Sequence, residues 1–213
     1  MRKLILKMSV SLDGFVGGPN GEIDWIFRSM SDDEAEWTIN VLRKAGLHIM
    51  GSRTFHDMAA WWPTSKEPFA PVMNEIPKAV FTKKGIIKPG DMELTTTAIK
   101  DAGEAVPKGA GAPYLSPHAH TWNEAIVAKG DLSGEIKRLK QQPGKDIVAH
   151  GGAGFAQSLV ATGLIDEYYL LTHPVALGKG LPLFSAIDAP LHLQLISATT
   201  FKGGTVAHVY RPA

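Results

Sequence analysis

The chain contains no cysteine among its 213 residues. This absence excludes a disulfide framework, a thiolate zinc site and a cysteine nucleophile. It also excludes the usual zinc-dependent nucleobase deaminase, whose metal is held by paired cysteines. Three common kinds of site are therefore ruled out by composition alone.

An excess of one charge and a long apolar run are absent as well. The 22 Lys and Arg nearly balance the 21 Asp and Glu, which gives a net charge of +1. Such a chain has no general attraction to nucleic acid or to an anionic membrane surface. No stretch approaches the ~20 apolar residues of a membrane span, and residues 1–7 lack the apolar core of a signal peptide. We expect a cytoplasmic protein that binds a small molecule, with neither a nucleic-acid nor a membrane partner, and in which any anion site is local.

Standard catalytic and nucleotide-binding motifs are also missing. There is no Walker A sequence, no G-x-S-x-G segment and no H-E-x-x-H segment. Gly152-Ala153-Gly154 is followed by Gln157 where the third glycine of a Rossmann fingerprint would stand. His118 and His120 have no third ligand nearby, so we expect no bound metal.

The segments that are present alternate between strand and helix patterns. Helices are predicted after the capping box Ser31-Asp32-Asp33-Glu34, with apolar residues as far as Ala45 and Gly46 as its end, and also after Asp131 and after the Gly151-Gly152 pair. Strands are predicted at residues 4–10, 47–50, 78–82, 146–149 and 168–177, with a terminal hairpin formed by 191–201 and 206–210. This order predicts an α/β fold: a mixed, mainly parallel sheet with an antiparallel C-terminal hairpin and helices on both faces.

One long stretch shows neither the strand pattern nor the helix pattern. Residues from about 89 to 120 are poor in large apolar side chains and rich in Gly, Ala, Pro and Thr. We interpret them as a surface loop insertion in a single domain that spans residues 1–213, with order resuming at Trp122.

Two predicted strand-to-helix junctions have the composition of anion sites. Gly151-Gly152-Ala153-Gly154 allows the backbone amides of a helix N-terminus to approach a phosphate closely. Gly51-Ser52-Arg53-Thr54 adds a guanidinium and a hydroxyl at a second junction, and Thr82-Lys83-Lys84 offers a third positive group. Each segment alone is also typical of a tight turn or of solvated surface. Together they would suit a dinucleotide that carries an extra phosphate.

The order of these segments resembles the dihydrofolate reductase-like superfamily, and more closely its riboflavin-pathway reductase (RibD C-terminal) branch. Five segments carry the resemblance: Ser11-Leu12-Asp13-Gly14, Ile49-Met50-Gly51-Ser52-Arg53-Thr54-Phe55, Asp146 to Ala153, Leu164 to Tyr168, and Leu177 to Phe184. Each is weak alone, and their order and spacing make the match. The resemblance runs from the first strand almost to the C-terminus and leaves out the insertion at about 89–120.

The resemblance implies NADPH bound along the C-terminal edge of the sheet, and a homodimer. Arg53 and Thr54, after Gly51, would meet the adenosine and pyrophosphate part. Thr82, Lys83 and Lys84 would lie near the adenosine 2′-phosphate. A cis Gly151-Gly152 peptide is implied as well. The pyrophosphate and nicotinamide would be flanked by Gly151, Gly152, Ala153, Gly154 and Phe155, and the border between nicotinamide and substrate would be formed by Ser11, Asp13 and Gly14.

The family pattern does not identify which carboxylate of this sequence would supply a proton or orient the substrate. Dihydrofolate reductases place a carboxylate on the helix after the first loop, and no residue here matches that position unambiguously. Asp32 and Asp33 are explained as first-turn residues that favour the helix dipole. Asp24 is the candidate for proton supply or substrate orientation, with Asp13 as the alternative, and Trp25 and His150 are predicted to face the substrate.

These expectations lead to one preferred function and two alternatives. The preferred function is an NADPH-dependent reductase of the riboflavin-pathway type, which would transfer hydride to a C=N or imine-type bond of 5-amino-6-(5-phosphoribosylamino)uracil or a related compound. Dihydrofolate reduction is the first alternative. A non-catalytic nucleotide-binding protein on the same fold is the second.

Overall fold

The computed structural model describes residues 1–82, 114–128 and 130–213. Within them, eight strands form one sheet in the order β4-β3-β2-β5-β1-β6-β8-β7. The strands are β1 (Leu4–Ser11), β2 (Ala45–Gly51), β3 (Lys78–Phe81), β4 (Ile126–Ala128), β5 (Asp146–Ala149), β6 (Glu167–His173), β7 (Leu193–Thr200) and β8 (Val206–Pro212).

One strand of the eight, β8, runs opposite to the other seven. Six adjacent strands, in the sheet order β4, β3, β2, β5, β1 and β6, are parallel to one another. β8 pairs antiparallel with both β6 and β7, so the last two strands form the predicted hairpin. The mainly parallel mixed sheet that the sequence predicts is therefore confirmed.

Helices cover both faces of the parallel part of the sheet. Along β1, Leu4, Leu6, Met8 and Val10 point to one face and Ile5 to the other, as the two-residue period of a strand requires. The helices are α1 (Asp24–Phe27), α2 (Asp32–Leu42), α3 (Ser52–Trp61), α4 (Ala70–Glu75), α5 (His120–Asn123), α6 (Leu132–Gln141) and α7 (Ala153–Ala161). The first face packs on α6 and α7, and the second packs on α2 to α5.

The first long helix departs from its predicted course at both ends. Ser31 stands at the N-cap of α2, but its side chain makes no capping hydrogen bond, and Glu34 is buried at 2% exposure. The reciprocal capping box is therefore wrong. The helix ends at Leu42, and Ala45 and Gly46 already belong to β2, because Ala45 pairs with Asp146 on the neighbouring strand β5.

Other predicted ends of helices and strands lie closer to the observed ones. Asp131 caps α6 by accepting a hydrogen bond from the Gly134 amide at 2.9 Å, as predicted. β6 ends at His173 rather than at 177. Described residues before Trp122 already pack on the domain, since the Ser116 amide donates to the Pro63 carbonyl at 2.8 Å.

The rest of the insertion, residues 89–113, lies outside the described residues, as do Lys83 and Lys84. In the part of the chain that the structure describes, no helix is long and apolar enough to cross a membrane. The described ranges also contain no group of three or more His, Asp or Glu side chains placed to hold a metal ion.

Candidate active site

The two predicted anion-binding junctions lie side by side at the carboxyl ends of the parallel strands. β2 and β5 are parallel neighbours, and each leads into a helix at its carboxyl end. Two backbone hydrogen bonds join the junctions: the Gly51 amide donates to the Gly151 carbonyl at 3.1 Å, and the His150 amide donates to the Ile49 carbonyl at 3.0 Å. Two helix N-termini therefore open side by side at the place where ligands of parallel sheets bind.

Glycine is required where the two junctions approach each other. A Cβ on Gly152 would lie 2.9 Å from the Thr54 hydroxyl oxygen, and a Cβ on Gly51 would lie 3.0 Å from Cβ of Phe155. Gly151 has a φ of +85° and is joined to Gly152 by a cis peptide bond, as the resemblance implies. The two segments could not pack this closely with larger residues at these positions.

The start of α7 leaves polar backbone groups available. The Ala156 amide is bonded back to the Gly152 carbonyl at 2.9 Å, whereas the amides of the preceding first turn have no partner within the helix. There is open space beside Gly154, because a Cβ on this residue would have no other group within 4 Å. Ala153 and Phe155 flank this opening, and the Phe155 ring packs on Phe81 with centroids 5.1 Å apart.

The other predicted cofactor contacts follow adjacent strands. Arg53 is exposed at the start of α3, and Thr82 is half-buried directly after β3, the neighbour of β2. Lys83 and Lys84 are not among the described residues. Contact of all these groups with a cofactor stays a prediction.

The loop after β1 is held by its own carboxylate. Asp13 accepts hydrogen bonds from the Ser11 hydroxyl at 2.6 Å, from the Gly178 amide at 2.7 Å and from the Leu177 amide at 3.1 Å. These bonds, the one from Ser11 foremost, lower the pKa of Asp13 to about 2. Asp13 therefore ties the loop containing Gly14 to the loop after β6, and its oxygens are already used by donors of the fold.

The two candidates nearest the first helix differ in exposure. Asp24 begins α1 with an exposed side chain that makes no hydrogen bond within the described residues. Trp25 is 6% exposed, donates its indole N–H to the Glu22 carbonyl at 3.0 Å, and meets His173 edge-on at 5.4 Å between centroids. The structure does not bring Asp24 into a buried environment, and its catalytic role stays a prediction.

A buried polar group on the α2 face is the feature that sequence reasoning missed. Lys7 projects from β1 on the opposite side from Leu6 and Met8. Burial lowers the pKa of Lys7 to about 8, against the opposing effect of the Glu34 charge. Burial raises the pKa of Glu34, whereas the Thr205 hydroxyl and Lys7 act in the other direction. One carboxylate oxygen of Glu34 is buried without a hydrogen-bond partner among the described residues.

Two histidines near the carboxyl ends of β5 and β6 belong to the same polar group. His173, fully buried, shares its Nδ1 with the Ser29 hydroxyl at 2.8 Å and the Thr205 hydroxyl at 3.4 Å. His150 directly precedes the diglycine and is partly exposed. Burial first, and the charge of Lys7 second, lower the pKa of His173 to about 4 and that of His150 to about 3. Both rings are therefore neutral at neutral pH.

A sequence signal for this group existed in β1 and α2. Lys7 is the lone charged residue of β1, and it shares its face with Ser9 and Ser11. This alternation indicates that one face of the strand is polar. Glu34 was interpreted as a capping residue, and that interpretation concealed its inward direction. The contacts with Thr205 and His173 come from a distant part of the chain and have no local signature.

The sheet order, the turn of direction at β8 and the edge site define a dihydrofolate reductase-like fold. Dihydrofolate reductase from Enterococcus faecalis, solved in complex with NADP(H), superposes with a TM-score of 0.55 at 12% identity, over 99% of this chain and 96% of that one. RibD from Acinetobacter baumannii superposes with a TM-score of 0.64 at 18% identity, over 100% of this chain and 58% of that one.

The chain belongs to the RibD C-terminal domain family, whose profile matches residues 2–207. It is also similar to YyaP of Bacillus subtilis (strain 168), an uncharacterized protein, with 30% identity over 209 residues that cover 98% of this chain and 94% of that protein. The resemblance read from the motifs is confirmed.

Proposed function

We propose that this protein is an NADPH-dependent reductase that transfers hydride to a C=N-type bond of a heterocyclic substrate. The observation that carries the proposal is the adjacency of two environments at one sheet edge. One is the pair of helix N-termini at Gly51 and Gly152, and the other is the polar group of buried Glu34 with the half-buried Lys7 and His150. A dinucleotide and a polar ring would then lie side by side.

The residues of the first environment fit a dinucleotide phosphate. The absence of side chains at Gly152 and Gly154 leaves the first-turn amides of α7 accessible, and open space lies in front of Gly154. Amides of this kind bind phosphate oxygens through both hydrogen bonds and the helix dipole. Exposed Arg53 adds a charge on the neighbouring helix.

The residues of the second environment would hold the substrate and manage its proton. NADPH, when bound, supplies the hydride. Glu34 can accept hydrogen bonds from ring N–H groups, and Lys7 can donate to a ring oxygen or nitrogen. Because burial raises the pKa of Glu34 and lowers that of Lys7 to about 8, both groups can exchange protons nearer neutral pH than exposed ones.

Within this proposal the riboflavin-pathway reaction, reduction of 5-amino-6-(5-phosphoribosylamino)uracil, is the first candidate. Membership of the RibD C-terminal domain family supports it. Dihydrofolate reduction is the second candidate, and one observation favours it: Glu34 is a buried carboxylate in the first turn of the helix that follows the first loop. That is the position at which the sequence offered no unambiguous carboxylate.

Oligomeric state belongs to the proposal as well. We propose a homodimer, as the family resemblance implies, with β7 as its contact surface. Seven of the eight residues of β7 are exposed, none is charged, and the strand has no partner on its outer side within the described residues. An uncharged edge of this kind is a template for pairing with another strand. The cytoplasmic location stays a prediction.

The deciding experiment is a turnover assay on the purified chain. NADPH consumption is measured with 5-amino-6-(5-phosphoribosylamino)uracil and with dihydrofolate, and NADPH affinity is titrated separately by fluorescence. Turnover with one substrate identifies the reaction. NADPH binding without turnover of either would favour the non-catalytic nucleotide-binding alternative, and no binding at all would contradict the cofactor assignment.

A further inference from the structure

Lys78, the first residue of β3, has a buried amine whose hydrogen-bond partners are both uncharged. The residue is 1% exposed, and its Nζ atom donates to the Asn74 carbonyl at 2.9 Å and to the Thr121 hydroxyl oxygen. Among the described residues, no carboxylate forms an ion pair with it. A buried ammonium without an anion is costly, so a group in this position tends to lose its proton.

The same contacts attach residues 114–123 to the domain. Asn74, which is 0% exposed on α4, accepts a second hydrogen bond at its carbonyl from the Thr121 hydroxyl, and its side-chain oxygen accepts from the Trp122 indole N–H at 2.8 Å. The side-chain amide of Asn74 donates to the Trp62 carbonyl at 2.8 Å. We call Lys78, Asn74, Thr121 and Trp122 the lysine hub. A titratable amine is therefore one of the groups that join this segment to α4.

The neutral amine is sufficient for these contacts. It has two N–H groups, and the Asn74 carbonyl and the Thr121 hydroxyl accept both of them. The third hydrogen of an ammonium would have the Trp122 ring as its contact, since Nζ lies 4.5 Å from the ring centroid. The face of an indole attracts a cation, but this attraction is small beside the cost of burying an unpaired charge.

Within the described ranges, no neighbouring charge offsets the burial of this amine. His48 pairs with Lys78 in register, and its ring meets that of His150 with centroids 4.5 Å apart. Burial lowers the pKa of His48 well below 6.5 and that of His150 to about 3, so both rings are uncharged at neutral pH. The titratable residues of α4 and α5, Glu75 and His120, are exposed. Burial accordingly lowers the pKa of Lys78 to about 7.

We propose that the lysine hub is a pH-sensitive anchor: above neutral pH the folded chain holds Lys78 as the neutral amine, and protonation of that amine loosens the attachment of residues 114–123 to α4. An ammonium regains its solvation when the segment detaches, whereas the neutral amine gains little. In the opened or unfolded chain the pKa of Lys78 returns to its ordinary 10.5, so that form binds more protons between pH 10.5 and pH 7. The attachment should therefore strengthen as the pH rises above 7 and change little below 7, where both forms are protonated.

The test compares Lys78→Met with Lys140→Met by chemical denaturation at pH 7, 8 and 9. Met keeps a long apolar side chain without a titrating amine. Lys140 is the matched control, because it is also buried, at 6% exposure, but is paired with Asp166 at 2.6 Å. Over this range we expect the unfolding equilibrium constant to fall at least ~10-fold more in the wild type than in Lys78→Met. Lys140→Met should keep the pH dependence of the wild type, and Lys7, whose pKa is about 8, contributes equally to all three proteins.

Two further measurements follow the anchor directly. Carbon NMR of the lysine side chains in the wild type should show Lys78 titrating near pH 7, and a midpoint near pH 10 would overturn the proposal even if Lys78→Met does not fold. Hydrogen exchange, corrected for the intrinsic pH dependence of the rate, should show the protection of residues 114–123 rising between pH 7 and 8.5 by more than that of α6. Lys78→Met should lack this difference. Equal pH dependence of the 114–123 amides in the two proteins would also overturn the proposal.

Discussion

The parallel part of the sheet and its antiparallel hairpin are built for different purposes. The six parallel strands (β4, β3, β2, β5, β1 and β6 in sheet order) are covered by helices on both faces. Their carboxyl ends lie along one edge of the sheet. β7, in contrast, exposes nearly all of its residues and includes a register shift between Leu195 and Ser197. The candidate site lies in the first part because parallel strands bring successive helix N-termini together, which an antiparallel hairpin cannot do.

The hairpin nevertheless contributes one element to the site. Its turn is packed so closely that a Cβ on Gly203 would overlap the Ser29 carbonyl. This packing places Thr205, 0% exposed, against His173 and near Glu34. The parallel part therefore contains the candidate site, and the hairpin packs against the buried side of its polar group.

The largest effect is expected from inserting bulk at the diglycine. Gly152→Val would bring a branched side chain against Thr54 and into the opening before α7. We expect a folded protein whose NADPH affinity falls by at least ~100-fold, or about 2.7 kcal/mol, in a fluorescence titration. Ala198→Val, which adds similar bulk on exposed β7, is the control. Equal NADPH affinity in the two variants would remove the distinction between the two parts.

A smaller effect on binding and a large effect on turnover are expected at Glu34. Glu34→Gln keeps the size of the side chain and removes the acid, so kcat should fall by about 10²-fold while NADPH affinity is retained. Glu36→Gln, on the exposed side of the same helix, is the matched control. Asp24→Asn belongs in the same assay. A larger loss from Asp24→Asn than from Glu34→Gln would restore Asp24 as the acid group.

Arg53 provides a test of cofactor choice, because Arg53 with Lys83 and Lys84 is the local positive cluster that the sequence offers to the extra phosphate. The extra phosphate of NADPH carries close to two negative charges, and one exposed charge-assisted contact is worth about 1.4 kcal/mol or tenfold once solvent screening is allowed for. Arg53→Ser should weaken NADPH by roughly tenfold and leave NADH nearly unchanged. Added salt should weaken NADPH more than NADH in the wild type. Equal loss for both cofactors would place Arg53 away from the extra phosphate.

The pH dependence of stability tests the buried polar group. The pKa of His173 is about 4 and that of His150 about 3 in the folded chain, below the ordinary 6.5, so the unfolded chain binds more protons as the pH falls below 6.5. The free energy of unfolding should then fall by about 1.4 kcal/mol per histidine for each pH unit. Glu34, whose pKa is raised, acts in the opposite sense above about 4.5.

The comparison between variants isolates the histidine contribution. Chemical denaturation of the wild type and of His173→Asn at pH 7.5, 6.5 and 5.5 gives the slope that His173 supplies. A parallel pH dependence of the two proteins would mean that His173 is accessible to protons in the folded state.

The smallest effect on the site is expected at the edge strand. Ile196→Lys places a charge on exposed β7, and its effect on the stability of the folded chain should stay within about 0.5 kcal/mol. NADPH affinity should be unchanged. If β7 joins two copies, sedimentation will show the variant as a monomer where the wild type is a dimer. A dimer unaffected by the change would move the contact to another surface.

Local sequence determined much of this protein by itself. The apolar strands and the Asp131 cap follow from short-range chemistry, since period and capping are properties of a few adjacent residues. The order of the motifs was sufficient to identify the family. Only the tertiary structure decided that Glu34 turns inward and that His48 packs on His150. It also decided that Ala45 belongs to a strand and that Asp13 ties two loops together. These outcomes depend on which distant segments compete for the same buried space, and that competition has no local signature in the chain.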